Sequence, residues 1–239
     1  MNPFRIAFRK ETAAPMIALG FGSAASMALI FGRILWTHRP GYGFLIWNLF
    51  LAWTPLIFAL LTNGEYRAGS KRKWLMFPLA GAWLLFFPNA PYICTDLIHL
   101  TLWFRGHFWV DLMLILLFAF TGLLVGFLSL FLMQTLVADL FGRVAGWLFV
   151  LLTAGLASFG VYIGRFLRFN SWDVIVRPAK VYHGIDAWLG SPMLNQTSVG
   201  FLVFFAAFLF IAYVMLYALT HLSPATPMPK PIRAETNAA

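Results

Sequence analysis

The chain has 239 residues, of which 61% are hydrophobic and 10% charged, with a mean hydropathy of +0.81 and a formal net charge of +9. A soluble domain carries about 25% charged residues and about half apolar ones, so the composition excludes a water-soluble globular class. The positive charge does not mark a nucleic-acid binder: membrane proteins gather Lys and Arg in cytoplasmic loops, and no basic stripe beyond Lys71-Arg72-Lys73 is long enough to track phosphates.

Apolar runs long enough to cross a ~30 Å hydrocarbon core recur along the chain. They predict span one over Ala13 to Gly32, span two over Phe44 to Leu61 and span three over Trp74 to Phe87. Span four follows over Phe108 to Met133, span five over Val144 to Ile163 and span six over Val199 to Leu219. The first run is preceded by Arg5, Arg9 and Lys10 but is too long for a signal-peptide core, so it reads as an uncleaved span. Unpaired backbone groups are costly in lipid, so each span must be helical. The expected fold is all-α: a polytopic transmembrane helix bundle of about six spans with short interfacial helices, residues 1–222. A disordered Pro-, Ala- and Thr-rich tail follows over 223–239. Pro55 is expected to kink span two, and Pro78 falls in the first turns of span three, where it is tolerated.

With six spans both termini share a side, and that side holds ten Lys and Arg against seven on the other. The positive-inside rule then puts both termini in the cytoplasm of a bacterial inner membrane. The stretch from Asp173 to Gly190 alternates apolar and polar residues and predicts an interfacial amphipathic helix rather than a seventh span. Glycines four apart (Gly122 and Gly126, Gly142 and Gly146, Gly160 and Gly164) suit close helix packing inside the bundle.

Two polar segments interrupt this pattern. Span three has only 14 apolar residues, a rise of roughly 21 Å, so the Pro88-Asn89-Ala90-Pro91 break after it is expected at membrane depth. Irregular backbone is tolerated there only against protein or a wet cavity. Asn89 is a candidate cap for a new helix, on which Tyr92, Asp96, His99 and Trp103 would form one stripe. The plainer reading is an interfacial helix with Tyr and Trp as belt anchors. In the second segment Arg165 and Arg168 are i, i+3 neighbours at the end of span five. Asn170 or Ser171 is placed to cap the next helix, with Asp173 in its first turn. Arginines at a helix end commonly snorkel to headgroups, yet these two lie on the side opposite the positive-inside trend, and arginine forks bind carboxylate or phosphate. In the six-span topology both segments fall on one extracytoplasmic face.

The strings FFPNAPYICTDLIHL (86–100) and SFGVYIGRFLRFNSWD (158–173) resemble the two signature stretches of a bacterial membrane family catalogued as domain of unknown function 1361. The likeness runs roughly from Leu45 to Tyr217, with Cys94 and Phe169 as local variants at apolar positions. It implies membrane location and bacterial origin and supplies no catalytic residues.

These residues frame three functional readings. The first is binding or processing of an anionic lipid or lipid-linked substrate at the extracytoplasmic face. Asn89, Tyr92, Arg165, Arg168, Asn170 and Asp173 would bind it, and Asp96 and His99 are the catalytic candidates. The second is a small transporter, and the third a non-catalytic envelope assembly subunit. Charge accounting singles out Asp96 as the ionic partner of Arg165 or Arg168, because the chain has only eight Asp and Glu and Asp111 can serve the start of its own helix. No metal and no cofactor is expected, since Cys94 is the only cysteine and His99, His107 and His183 show no ligand spacing. The partner expected is the lipid bilayer.

Overall fold

A computed structural model describes residues 10–38, 40–69, 73–102, 107–190 and 192–221. Arg5, Arg9, Arg39, Lys71, Arg72, Trp103, Arg105 and the tail from Ser223 onward lie outside the described residues. The described chain is helical, with no strand. Helix α1 is Lys10–Thr37, α2 Phe44–Arg67 and α3 Met76–Phe86, the last preceded by a 3-10 turn. Then come α4 (Asn89–Tyr92), a 3-10 stretch (Ile93–Ile98) and α5 (His99–Leu102). Helix α6 is Phe108–Phe141 and α7 Arg143–Phe166; α8 (Asp173–Val176), α9 (Pro178–Leu189) and α10 (Pro192–Thr220) complete the order.

Among the described residues five helices are long and apolar enough to cross a membrane: 13–37 of α1, α2, α6, α7 and 198–220 of α10. The protein is a multi-pass membrane bundle. Helix α6 has 34 residues, a length of about 51 Å, and is the most buried span, whereas α1 and α10 face mostly outward. Helices α1, α2 and α7 all pack on α6, and α10 packs on α7. The helix α2 runs unbroken through Pro55, and Pro78 sits in the first turn of α3, as its missing N–H requires.

The expected third span is not one helix. The 11 residues of α3 rise only about 16 Å. The crossing is completed by the irregular run 87–102, which climbs antiparallel along α6. Trp83 Nε1 donates to Ser129 Oγ at 3.2 Å. Further on, Ala90 faces Gly126, and Ile93 faces Gly122. Leu100 then joins the buried cluster of Leu114, Ile115 and Phe118 near the start of α6. The order of contacts reverses along α6, so the chain between α2 and α6 traverses the bundle once. With the five long helices, the described chain traverses the bundle six times. Arg33 bonds Asp111 and Gly22 abuts Thr121, so α1 runs antiparallel to α6, and Tyr213 bonds Gln134; the described ends, Lys10 and His221, therefore leave on the side where α6 ends.

The broken crossing fits because glycines make room for it. A Cβ on Gly122 would lie 2.7 Å from Ile93 Cδ1, and one on Gly126 would lie 2.7 Å from Ala90 Cβ. From the other side, Gly160 abuts the Pro88 ring and Gly164 the Tyr92 ring. Two of the three glycine pairs thus grip the same segment. In the third, Gly146 packs on Ala138, and Gly142, at φ +93°, forms the tight turn between α6 and α7. These faces are consumed inside the bundle.

Candidate functional site

The polar segments 89–102 and 164–173 meet at the end of the bundle opposite the described ends. Asp96 is buried, its side chain 1% exposed, and forms an ion pair with Arg165 Nη2 through Oδ1. Its second oxygen accepts from Asn48 Nδ2 at 2.8 Å. Arg165 is held on every side. Its Nε donates to Thr95 Oγ1 at 2.9 Å, its Nη1 lies 3.4 Å from His99 Nε2, and its guanidinium sits 4.4 Å above the Tyr92 ring. Thr95 in turn donates to the Tyr92 carbonyl at 2.6 Å. Three elements therefore supply one network: α2 gives Asn48, the broken crossing gives Tyr92, Thr95, Asp96 and His99, and α7 gives Arg165.

Burial of an ion pair is tolerable when its members make further hydrogen bonds, and here Asp96 also bonds Asn48 while Arg165 also bonds Thr95 and His99. Both carboxylate oxygens of Asp96 are engaged, which suits it to hold Arg165 in place. His99 is 26% exposed in its side chain, more open than Arg165 at 14% or Asp96 at 1%.

Arg168 lies outside the network. It is exposed, with no carboxylate partner among the described residues, and lines a cavity of about 490 Å³ with Tyr92, His99, Gly164, Arg165 and Asn170. Its backbone is left-handed (φ +59°). The reason is the end of α7: Phe169 N–H reaches back to the Ile163 carbonyl at 3.3 Å, closing the helix with Arg168 where glycine is usual.

Asn89 and Asn170 do not cap helices through their side chains, contrary to expectation. Pro88 and Trp172 hold the capping positions, without side-chain bonds. Asn89 Nδ2 instead donates to Ser171 Oγ at 3.1 Å, tying the start of the broken run to the loop after α7. Asp173 opens α8 as expected, and its carboxylate accepts the Asn170 backbone N–H at 2.7 Å. The stripe of Tyr92, Asp96 and His99 is likewise not on one regular helix, because 3-10 geometry intervenes from Ile93 to Ile98. The 3-10 turn tightens the spacing, and its side chains still converge on Arg165.

A second cavity of about 440 Å³ adjoins the first and shares Tyr92, Gly164 and Asn170 with it. Its rim is polar (Asn48, Asn89, Asn170 and Ser171), and its walls are apolar side chains of α2, α3 and α7.

Sequence reasoning missed two features. Asn48 is the third partner of Asp96, and its only signal is a lone amide in an apolar run. At the same end of the bundle Asp111 pairs with Arg33 rather than serving only its own helix start: Arg33 Nε meets Oδ1 at 2.5 Å and Nη2 meets Oδ2 at 3.2 Å. Arg33 also lies over the Tyr42 ring at 4.5 Å. Burial first, then the Asp111 carboxylate, push the Tyr42 phenol up to about 12.

Residues 47–215 match the model of a family described as protein of unknown function (DUF1361). The chain belongs to this family. The match takes in Asn48, the broken crossing, the whole of α6 and α7 and most of α10, so the polar network and both cavities lie within the family's domain. Arg33 and Tyr42 precede it. No curated protein and no solved structure matches the chain.

Proposed function

We propose that this protein binds the anionic headgroup of a lipid or lipid-linked molecule at the extracytoplasmic end of its bundle. The observation that carries the reading is Arg168: an exposed guanidinium with no carboxylate partner among the described residues, at the mouth of a cavity also lined by His99 and Asn170. Arg165 is already bonded to Asp96, Thr95 and His99, so it supplies fixed positive potential, while the Arg168 fork, with no carboxylate partner among the described residues, is open to a phosphate or carboxylate. The excess of Lys and Arg on the side of the termini supports an extracytoplasmic vestibule in a bacterial inner membrane. A processing step at that headgroup would use His99 as the proton-transfer group, because Asp96 has both oxygens occupied.

The test is thermal unfolding of the purified protein in a neutral detergent, titrated with phosphatidylglycerol or phosphatidylcholine. A ligand that binds only the folded state raises its stability by mass action. Phosphatidylglycerol should stabilise the protein, and Arg168→Gln should remove that gain. Equal stabilisation by phosphatidylcholine, or an undiminished gain in the variant, overturns the reading.

A second reading, a small transporter, is favoured by one observation: the third traverse of the bundle is split into short helical pieces, as in folds that bind cargo at broken helices. It predicts flux of a solute across sealed vesicles that depends on Asp96 and Arg165. The other alternative, an assembly subunit docking through its glycine faces, loses its motivation, since those glycines are occupied within the bundle.

A further inference from the structure

We propose that one hydrocarbon chain of the bound lipid lies in the groove between α3 and α7, entering sideways from the outer leaflet. The proposal rests on the headgroup reading and extends it to the substrate class: an amphiphile with a single membrane-embedded chain seated in the protein, not a free anion.

The groove has the polarity gradient of a lipid. At its rim stand Asn89, Asn170 and Ser171, and the residues it shares with the vestibule carry it on to Arg165 and Arg168. Below the rim its floor is the contact of Pro88 with Gly160. Its walls are Leu84 and Leu85 of α3 and Leu156 and Phe159 of α7. From Gly81 to Pro88 the groove spans seven residues of helix rise, about 10 Å, running down from the charged end into the apolar depth.

Three further observations favour a chain as the occupant. One wall belongs to α7, a helix long and apolar enough to cross a membrane, and its outward-facing Leu156 stands at the groove, so the groove opens on the apolar, lipid-facing flank of the bundle. Its volume of about 440 Å³ falls in the ordinary range for ligand pockets. A Cβ placed on Gly81 meets nothing within 4 Å, so the groove is open at that depth and not filled by a neighbouring side chain. Charge complementarity fixes the orientation: the guanidinium of Arg168 is at the rim end, which seats the anionic group there and points the chain toward Gly81. A lipid so placed keeps its headgroup at the interface and exchanges one face of its chain's bilayer contacts for protein contacts, with no apolar surface exposed to water.

The probe is phosphatidylglycerol carrying a photoactivatable diazirine in its acyl chain, in nanodiscs of phosphatidylcholine. Crosslinks are expected to concentrate on 81–85 and 156–163, several-fold above those on the outward faces of α1 and α10. Gly81→Phe fills the groove from one wall and should abolish the concentrated crosslinks, while phosphatidylglycerol of short chain length still raises thermal stability. Leu156→Trp fills it from the opposite wall, at an outward-facing position, and should act alike if Gly81→Phe does not fold. Even crosslinking over all lipid-facing helices, or crosslinks unchanged in both variants, overturns the groove inference. If stabilisation by the short-chain lipid persists in that case and is still lost in Arg168→Gln, the headgroup reading stands and only the chain's path is wrong. Loss of any dependence on Arg168 would instead remove the headgroup reading.

Discussion

Asp96 and Arg165, 69 residues apart in the sequence, form a buried ion pair that ties the broken third crossing to the end of α7. Removing one partner of such a pair leaves the other charged and unpaired, a loss of about 3–5 kcal/mol. Asp96→Asn should therefore lower the yield of folded protein sharply, and Arg165→Gln should do the same. The double variant should lose much less than the two losses combined, which a thermodynamic cycle reads directly. Strict additivity would show that the contact carries no coupling. Arg165→Lys should not rescue, because one ammonium cannot reach Asp96, Thr95 and the Tyr92 face together.

At the opposite wall of the same segment, a Cβ on Gly160 would lie 2.5 Å from Pro88 Cγ. The proline ring cannot swing aside, so Gly160→Ala must push α7 off the broken run. Overpacking of this kind costs about 1–3 kcal/mol. Gly155→Ala, on the same helix, meets nothing within 4 Å and is the control. Thermal unfolding in detergent should separate the two; equal midpoints would mean that the Pro88 contact is slack.

Arg168 gives a prediction of opposite signs. Its left-handed backbone costs a non-glycine residue about 1 kcal/mol, which glycine would not incur. Arg168→Gly should raise the intrinsic stability of the protein while abolishing its stabilisation by phosphatidylglycerol. A variant that is both less stable and still responsive to the lipid contradicts the account of this residue.

The Arg33–Asp111 pair should behave as a separate unit from Asp96–Arg165. Exchanging the two residues (Arg33→Asp with Asp111→Arg) should recover part of the folded yield lost in either single variant. Losses from one variant in each pair should add, within about 0.5 kcal/mol, as they do for sites without shared partners. A strong coupling between the pairs would mean that they are one network.

Topology has its own reporter in Cys94, the only cysteine, which is partly buried in the broken crossing beside the vestibule. A membrane-impermeant thiol reagent should not reach it from the cytoplasmic side of inverted vesicles. Labelling from that side alone would reverse the orientation. Tags inserted before Asp173 and after Gly190 should report the same side, since α8 and α9 have four and twelve residues and neither is long enough to cross.

What the sequence revealed and what it hid follow from the range of the forces involved. Five spans were legible because a helix in lipid must be a long apolar run, and the run length is a local property. The deficit of span three was legible too, as 14 residues where about 20 are needed. So was the pairing of Asp96 with one of the two arginines, because acids are few and an isolated charge beside an apolar span requires a partner; that Arg165 and not Arg168 takes the role is seen only in the structure. Asn48 was not legible: a single amide in an apolar helix has no periodic signature, and only the packing of α2 against the 3-10 stretch shows which acid it serves. Arg33 and Asp111 each had a sufficient local explanation, so nothing in the sequence required them to meet. The capping assignments of Asn89 and Asn170 failed for the related reason that the Asn89 side chain is drawn to Ser171 and the loop makes its own bond to Asp173.

The grip of two glycine-bearing helices on residues 88–93 also constrains the order in which the protein is made. A chain synthesised from its N-terminus has the broken segment in hand before α6 exists, and long before Arg165 does. Until then Asp96 is a carboxylate without its counter-ion and the run from Pro88 to Leu102 has irregular backbone that hydrocarbon will not accept. That run must wait at the interface or in water while about seventy further residues are added, and only the arrival of α7 lets it enter. The third crossing in sequence is thus completed only after the fifth has been made, and anything that delays α7 leaves a half-inserted chain with its polar face open.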